Sequence, residues 1–200
     1  ENGEMFGEEY TLVAVADYVL KHTPGNTVSN LSSSRALKDV TEAYGQQYHA
    51  AAVGEVNVVA EMKRTHSVIG GEGNGGVIYP ESHYGRDALV GVGLFLSHYV
   101  AQSKKMTELK STYPPYFISK NKMTLSPDMD VDKILEGLKE RYATEKVTDI
   151  DGVKIDFAQG WVHLRKSNTE PIIRIYSEAK DEAAANQLAE EVIAAAKSTL

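Results

Sequence analysis

Two successive prolines, Pro114-Pro115, close a stretch from about Gln102 in which the order of helix and strand signals changes. The first constraint on the fold is therefore that the chain divides. The expectation is two domains, 1–108 and 109–200, joined somewhere between residues 105 and 118. A chain of 200 residues has ample length to bury a core.

Before the break, helix and strand signals alternate. Leu12, Val13, Ala16, Val19 and Leu20 recur at helical spacing and predict a helix over 8–21. After Pro24-Gly25, residues 27–31 read as a short strand. Ser32-Ser33-Ser34 then cap a helix that Gly45 ends. A weak strand at 47–50 precedes a stretch over 55–64 that reads as a helix starting after Gly54, with Val56, Val58 and Val59 leaving a strand open. Residues 67–69 form a strand running into a glycine-rich loop. The clearest helix covers 86–101, with Leu89, Val92, Leu96 and Val100 on one face.

After the break the order differs. A strand is expected over 116–124, a helix over 131–142 behind Asp130, strands near 145–149, 153–157, 161–166 and 172–177, and an Ala-rich helix over 181–197. The predicted fold class is α/β: a mixed-sheet α/β domain followed by a small α+β two-layer domain.

Charge and residue usage exclude several functions. The net charge is -7 and no Lys/Arg run offsets it, so neither nucleic acid nor an anionic membrane is an expected partner. Cysteine is absent, which removes disulfides and thiolate metal sites and is compatible with a reducing compartment. No apolar run approaches the roughly 18 residues that span a bilayer. A cytoplasmic location is expected. The first residue is Glu1 rather than Met, so the chain reads as cut from something longer.

Two loops carry chemistry. Gly70-Gly71-Glu72-Gly73-Asn74-Gly75-Gly76 lets a ligand approach the main chain closely. Glu72 accepts hydrogen bonds and Asn74 both donates and accepts, which suits neighbouring sugar hydroxyls. The same loop also reads as a flexible hairpin with its polar residues in water. It follows neither the Rossmann nor the Walker pattern.

The second loop, Arg165-Lys166-Ser167-Asn168-Thr169-Glu170-Pro171, lies between two strand signals. Alternation puts Trp161, His163 and Arg165 on one face, and sets Arg174 opposite to Ile173 and Ile175. Two guanidinium groups would then flank Ser167, Asn168, Thr169 and several N–H groups, which is what a dianionic phosphate requires. The competing reading is a polar surface turn whose arginines pair with Glu170 or Glu178.

Gly71 to Gly75 resembles the sugar loop Gly-Glu-x-Ser/Asn-Gly of the α-D-phosphohexomutase family. Arg165 to Pro171, with Arg174, resembles that family's phosphate loop, Arg-x-Ser-Asn/Gly-Thr-Glu-Pro. Asp151-Gly152-Val153-Lys154 looks like the turn before its last strands. The resemblance covers nearly the whole chain and corresponds to the third and fourth of four domains. Gly76 stands where members often have His, and Ala51-Ala52 where they usually show Thr-x. The surrounding residues look most like the phosphoglucosamine mutase branch.

The resemblance implies half of a phosphohexose mutase, which interconverts hexose or hexosamine 1-phosphate and 6-phosphate through a bisphosphate. Its implied substrate-binding residues are Glu72, Asn74, Arg165, Ser167, Asn168, Thr169 and Arg174. The family's phosphoserine loop, Thr-x-Ser-His-Asn-Pro, and its Mg²⁺ loop, Asp-x-Asp-x-Asp-Arg, have no match. Ser82-His83 has the wrong neighbours, and Asp128-x-Asp130-x-Asp132 reads as a helix cap. The expected partners are a phosphosugar and the missing N-terminal domains, with Mg²⁺ held outside this chain and no activity in the fragment alone. The alternative is a stand-alone phosphosugar-binding module without catalysis.

Overall fold

Leu12, Val13, Ala14, Val15, Ala16, Val19 and Leu20 are all buried on α1 (Glu8–His22), so this helix is enclosed on more than one side. The computed structural model describes residues 1–126, 129–167 and 170–198. The chain divides into two units, Glu1–Pro115 and Tyr116–Leu200. The division falls after Pro115; the sequence reading placed it after 108.

In the first unit α1 is followed by β1 (Thr27–Asn30), α2 (Ala36–Ala43), β2 (Tyr48–Ala51), α3 (Glu55–Thr65), β3 (Ile69–Glu72), β4 (Gly76–Ile78), α4 (Ala88–Gln102) and α5 (Met106–Lys110). The strand order is β2-β1-β3-β4, with β1 parallel to both β2 and β3 and β4 antiparallel to β3. This is the expected mixed sheet. All four residues of β1 are buried, as in a strand covered on both faces. Helix α3 packs against β1, β2 and β3. Helix α1 packs on β3 and is flanked by α2 and α4.

A buried polar cluster ties this unit together. Asp17 on α1 accepts hydrogen bonds from the hydroxyls of Tyr44 (2.6 Å) and Tyr113 (3.0 Å), and His98 Nε2 lies 2.8 Å from the Tyr113 oxygen. Burial pushes the Asp17 carboxyl up, but the hydrogen bonds from His98, Tyr44 and Tyr113 outweigh it and hold the group below its ordinary value.

Helix α4 has the predicted periodicity, and its apolar stripe turns outward. Leu89, Val92, Leu96 and Val100 are exposed, while Gly91 and His98 face inward. Gly91 lies against Val77, and Phe95 meets Phe6 edge-on at 5.0 Å. The close approach at Gly91 and the polar anchor at His98 fix which side turns in.

The second unit contains β5 (Phe117–Thr124), α6 (Val131–Arg141), β6 (Lys146–Thr148), β7 (Val153–Asp156), β8 (Gly160–Lys166), β9 (Ile172–Ala179) and α7 (Glu182–Lys197). Its sheet has the order β5-β9-β8-β7-β6 and every pairing is antiparallel. Ile134 and Leu138 of α6, with Leu188 and Val192 of α7, form one core with Val153, Ile155, Val162, Leu164, Ile173 and Ile175. Helices therefore cover one face of a five-stranded sheet, giving the two-layer α+β arrangement. Asp130 and Asp181 cap α6 and α7: Asp130 accepts the N–H groups of Asp132 and Lys133, and Asp181 that of Ala184. No helix among the described residues is long and apolar enough to cross a membrane.

Candidate functional site

The glycine-rich segment is a tight hairpin. Glu72 at the end of β3 is paired with Gly76 at the start of β4. The turn is closed by Asn74, whose Oδ1 accepts from the Gly76 N–H at 3.1 Å. A Cβ on Gly71 would stand 2.0 Å from the Gly76 carbonyl oxygen, so glycine is required there by the neighbouring backbone. Gly73 donates its N–H to Ser33 Oγ at 2.9 Å, which pins the turn to the segment after β1.

Glu72 is only 5% exposed, and its carboxylate is spoken for on both sides. Oε1 accepts from Asn30 Nδ2 at 2.9 Å and from the Gly54 N–H at 3.2 Å; Oε2 lies 3.5 Å from Arg86 Nη1. Arg86 in turn pairs with Glu55, Nε to Oε2 at 2.8 Å, and also gives Glu55 its backbone N–H. These two donations from Arg86, backbone first, hold the Glu55 carboxyl below its ordinary value. Asn74 is exposed.

Topology explains why these groups meet. β1 leads by way of α2 to β2 on one side, and the chain then crosses back to β3 on the other side of β1. Asn30 and Glu72 are the last residues of β1 and β3, at the carboxyl edge of neighbouring parallel strands where the connections part. Open α/β sheets bind ligands at this point. Sequence reasoning singled out Glu72 and Asn74; around Glu72 the structure gathers Asn30, Glu55 and Arg86, which that reasoning did not name. β1 reads Thr-Val-Ser-Asn, so Asn30 does not stand out locally.

The second loop ends the β8–β9 hairpin. Ser167 is buried and gives its N–H to the Ile172 carbonyl at 3.0 Å. Arg165 and Arg174, expected at the loop end of a hairpin, are direct cross-strand partners. Like charges in that register repel. Each is offset by one carboxylate: Arg174 Nη2 lies 3.1 Å from Glu170 Oε2, and Arg165 Nε lies 3.6 Å from Asp151 Oδ2. The Arg165 Nε is buried and has no hydrogen-bond partner among the described residues. Pairing of Arg174 with Glu170 is what the surface-turn reading expected; Glu178, the other carboxylate of that reading, is buried and accepts the Trp161 indole N–H at 2.7 Å. Asn168 and Thr169 lie outside the described residues.

Further along the same face, His163 is buried and its Nε2 is 2.7 Å from the Asp151 carbonyl oxygen. Burial pushes this imidazole down to about 4, against the pull of the Asp151 carbonyl. Asp151 thus contacts both His163 and Arg165 and ties the 151–152 turn to the hairpin.

Two further motifs, Asp128-x-Asp130-x-Asp132 and Ser82-His83, are seen in part. Asp130 Oδ1 accepts from the N–H groups of Asp132 and Lys133, and Asp128 lies outside the described residues. His83 pairs with Asp87 at 3.0 Å on the surface. Among the described residues no group of three or more His, Asp or Glu is placed to hold a metal ion.

Comparison with known proteins adds to this geometry. Residues 7–116 match the family described as phosphoglucomutase/phosphomannomutase, alpha/beta/alpha domain III, and residues 120–195 match phosphoglucomutase/phosphomannomutase, C-terminal domain. A phosphoglucomutase/phosphomannomutase of Thermococcus kodakarensis is 36% identical over 193 residues, covering 95% of this chain and 42% of that protein. A phosphoglucosamine/phosphogalactosamine mutase of Sulfurisphaera tokodaii is 36% identical, over 82% of this chain and 37% of its own length. The chain thus spans about two fifths of the length of these relatives. A solved phosphoglucomutase/phosphomannomutase family protein of Burkholderia thailandensis superposes with a TM-score of 0.81 at 22% identity, over 99% of this chain and 43% of that one. An N-acetylphosphoglucosamine mutase of Aspergillus fumigatus, solved with GlcNAc-6P and magnesium, shares the fold with a TM-score of 0.57 at 14% identity, over 94% of this chain and 45% of that one.

Proposed function

Because the chain belongs to the phosphoglucomutase/phosphomannomutase family, we propose that it is the substrate-holding part of a phosphohexose mutase acting on hexose or hexosamine 1- and 6-phosphates in the cytoplasm. The unit ending at Pro115 is the sugar-recognising domain, with Glu72 and Asn74 at its hairpin. The unit from Tyr116 is the phosphate-binding domain, with Arg165, Ser167, Asn168, Thr169 and Arg174.

One observation carries this reading. Arg165 and Arg174 face each other across neighbouring strands at the loop end of a hairpin, an arrangement that costs stability until an anion lies between them. A phosphate dianion there accepts from both guanidinium groups and displaces the exposed Glu170 from Arg174. Holding the phosphate that is not reacting keeps a bisphosphate bound while its other end is exchanged. That is remote binding energy used for alignment. Glu72, fixed by Asn30, Gly54 and Arg86, holds the shape of the hairpin that carries the exposed Asn74 toward sugar hydroxyls. The amino-sugar relative in Sulfurisphaera tokodaii supports hexosamine phosphate as the first substrate to test.

Asp130 serves as a helix cap, and the described residues do not fit a magnesium site. The ion, which neutralises charge on a transferring phosphoryl group when bound, is assigned with the phosphoserine to domains outside this chain.

The test is calorimetric titration of glucosamine 6-phosphate into the full-length protein and its Arg174→Ala variant. A loss of about 10–150-fold in affinity, one charge-assisted hydrogen bond of about 1.5–3 kcal/mol, is the expected result. Equal affinities with both proteins folded would remove the phosphate assignment.

A further inference from the structure

Helix α4 runs for 15 residues without a single Asp, Glu, Lys or Arg. Such a helix is ordinarily enclosed by protein. Here only its inner side is covered. Leu89, Val92, Leu96 and Val100 are 85%, 55%, 51% and 74% exposed, and their spacing of three and four places them in one stripe about 17 Å long.

The stripe is presented on a well-fixed helix. Asp87 caps its N-terminus through the Leu89 and Val90 N–H groups, and Phe95 and His98 anchor its other side. Gly93 sits within the exposed face, and a Cβ there would meet nothing within 4 Å. Glycine in a helix interior is unfavourable relative to alanine, and among the described residues nothing lies close enough to Gly93 to require it.

We propose that the outer face of α4 is the seat of the domain that precedes this pair in the full-length protein, an α/β domain meeting Leu89, Val92, Leu96 and Val100 with a complementary apolar surface. This rests on the family reading above: the relatives carry more than half of their length outside the matched part, and the matched domain is the third of its kind. The path of the chain selects this occupant over a second copy. Residues ahead of α1 run alongside α4 and α5: Phe6 packs on Phe95, the Met5 carbonyl accepts from Lys110 Nζ at 3.2 Å, and Glu1 Oε1 accepts from Thr107 Oγ1. A domain joined ahead of Glu1 is tethered beside the stripe, so its effective concentration there is high.

The chain contains no cysteine, which allows a direct test. Leu96→Cys is made in this 200-residue chain and in the full-length protein, with Glu42→Cys on α2 as an exposed control. The rate of maleimide labelling at each position is followed by peptide mass spectrometry, and the mass of each protein by sedimentation. The expected result is fast labelling at 96 in the short monomeric chain and at least tenfold slower labelling in the full-length protein, with position 42 fast in both. Equal rates at 96 in the two proteins would overturn the proposal. Slow labelling in the short chain together with a dimeric mass would overturn it in favour of self-association. Val100→Cys reads the same face should Leu96→Cys fail to fold. Labelling does not depend on turnover, so an active mutase with equal rates sinks only the docking surface, and an inactive protein with slowed labelling sinks only the proposed function.

Discussion

Tyr113 gives its hydroxyl hydrogen to Asp17 at 3.0 Å, joining two residues 96 positions apart. The oxygen of that hydroxyl is also 2.8 Å from His98 Nε2, and with Tyr113 donating to Asp17 the imidazole donates to Tyr113. Burial and then the Asp17 charge push the Tyr113 phenol far above its ordinary value, so it remains a donor throughout the accessible pH range. Tyr113→Phe should therefore destabilise the first unit by about 1–3 kcal/mol, because Asp17 and His98 both lose a buried partner. Denaturant unfolding of the variant measures this; an unchanged midpoint would mean that the cluster contributes nothing.

Inorganic phosphate should stabilise the second unit. At ten times its dissociation constant the gain is about 1.4 kcal/mol by mass action, beyond any effect of chloride at equal ionic strength. The gain should vanish in Arg165→Ala. Thermal unfolding of both proteins in the two salts makes the comparison, and equal shifts would count against a phosphate site at the hairpin.

His163 sets a pH dependence. Its folded pKa, about 4, lies below the unfolded value near 6.5, so the unfolded chain binds the proton first as pH falls. Its stabilisation is complete above pH 6.5 and is lost as pH falls toward 4, with a total on the order of 3 kcal/mol. His163→Gln should flatten the stability of the second unit across that window. Parallel slopes for the two proteins would show that His163 does not titrate this way.

Gly71→Ala should break the β3–β4 hairpin, since the added methyl group would be driven into the Gly76 carbonyl. Overpacking of this kind costs about 1–3 kcal/mol, and here backbone rather than side chain must yield. Sugar-phosphate affinity should fall together with stability. A variant as stable as wild type would show that the two strands are further apart than described.

Much of the fold could be read from local pattern. Periodicity located α1, and Asp130 and Asp181 marked where α6 and α7 begin. β3 was placed too early, at 67–69 rather than Ile69–Glu72, because Gly70 and Gly71 carry no strand propensity. Their place in the sheet comes from backbone approach that only tertiary structure reveals. The face of α4 was found, but spacing alone does not say which way a face points. The hairpin arginines were legible since alternation is strictly local. The hydrogen bond from Asn30 to Glu72 spans 42 positions and leaves no local trace.

The strand order of the second unit also has a consequence in time. β6, β7, β8 and β9 are sequential neighbours and can zip up hairpin by hairpin, whereas β5 pairs only with β9. On the ribosome β5 therefore emerges well before its partner and must wait, as an unmatched edge, until Ala179 has been synthesised. Long-range pairing of this sort is the slow step of folding and the moment of greatest exposure to wrong partners. Lys120 and Lys122, exposed on β5, are charges of the kind that keep such an edge from recruiting a neighbouring nascent chain.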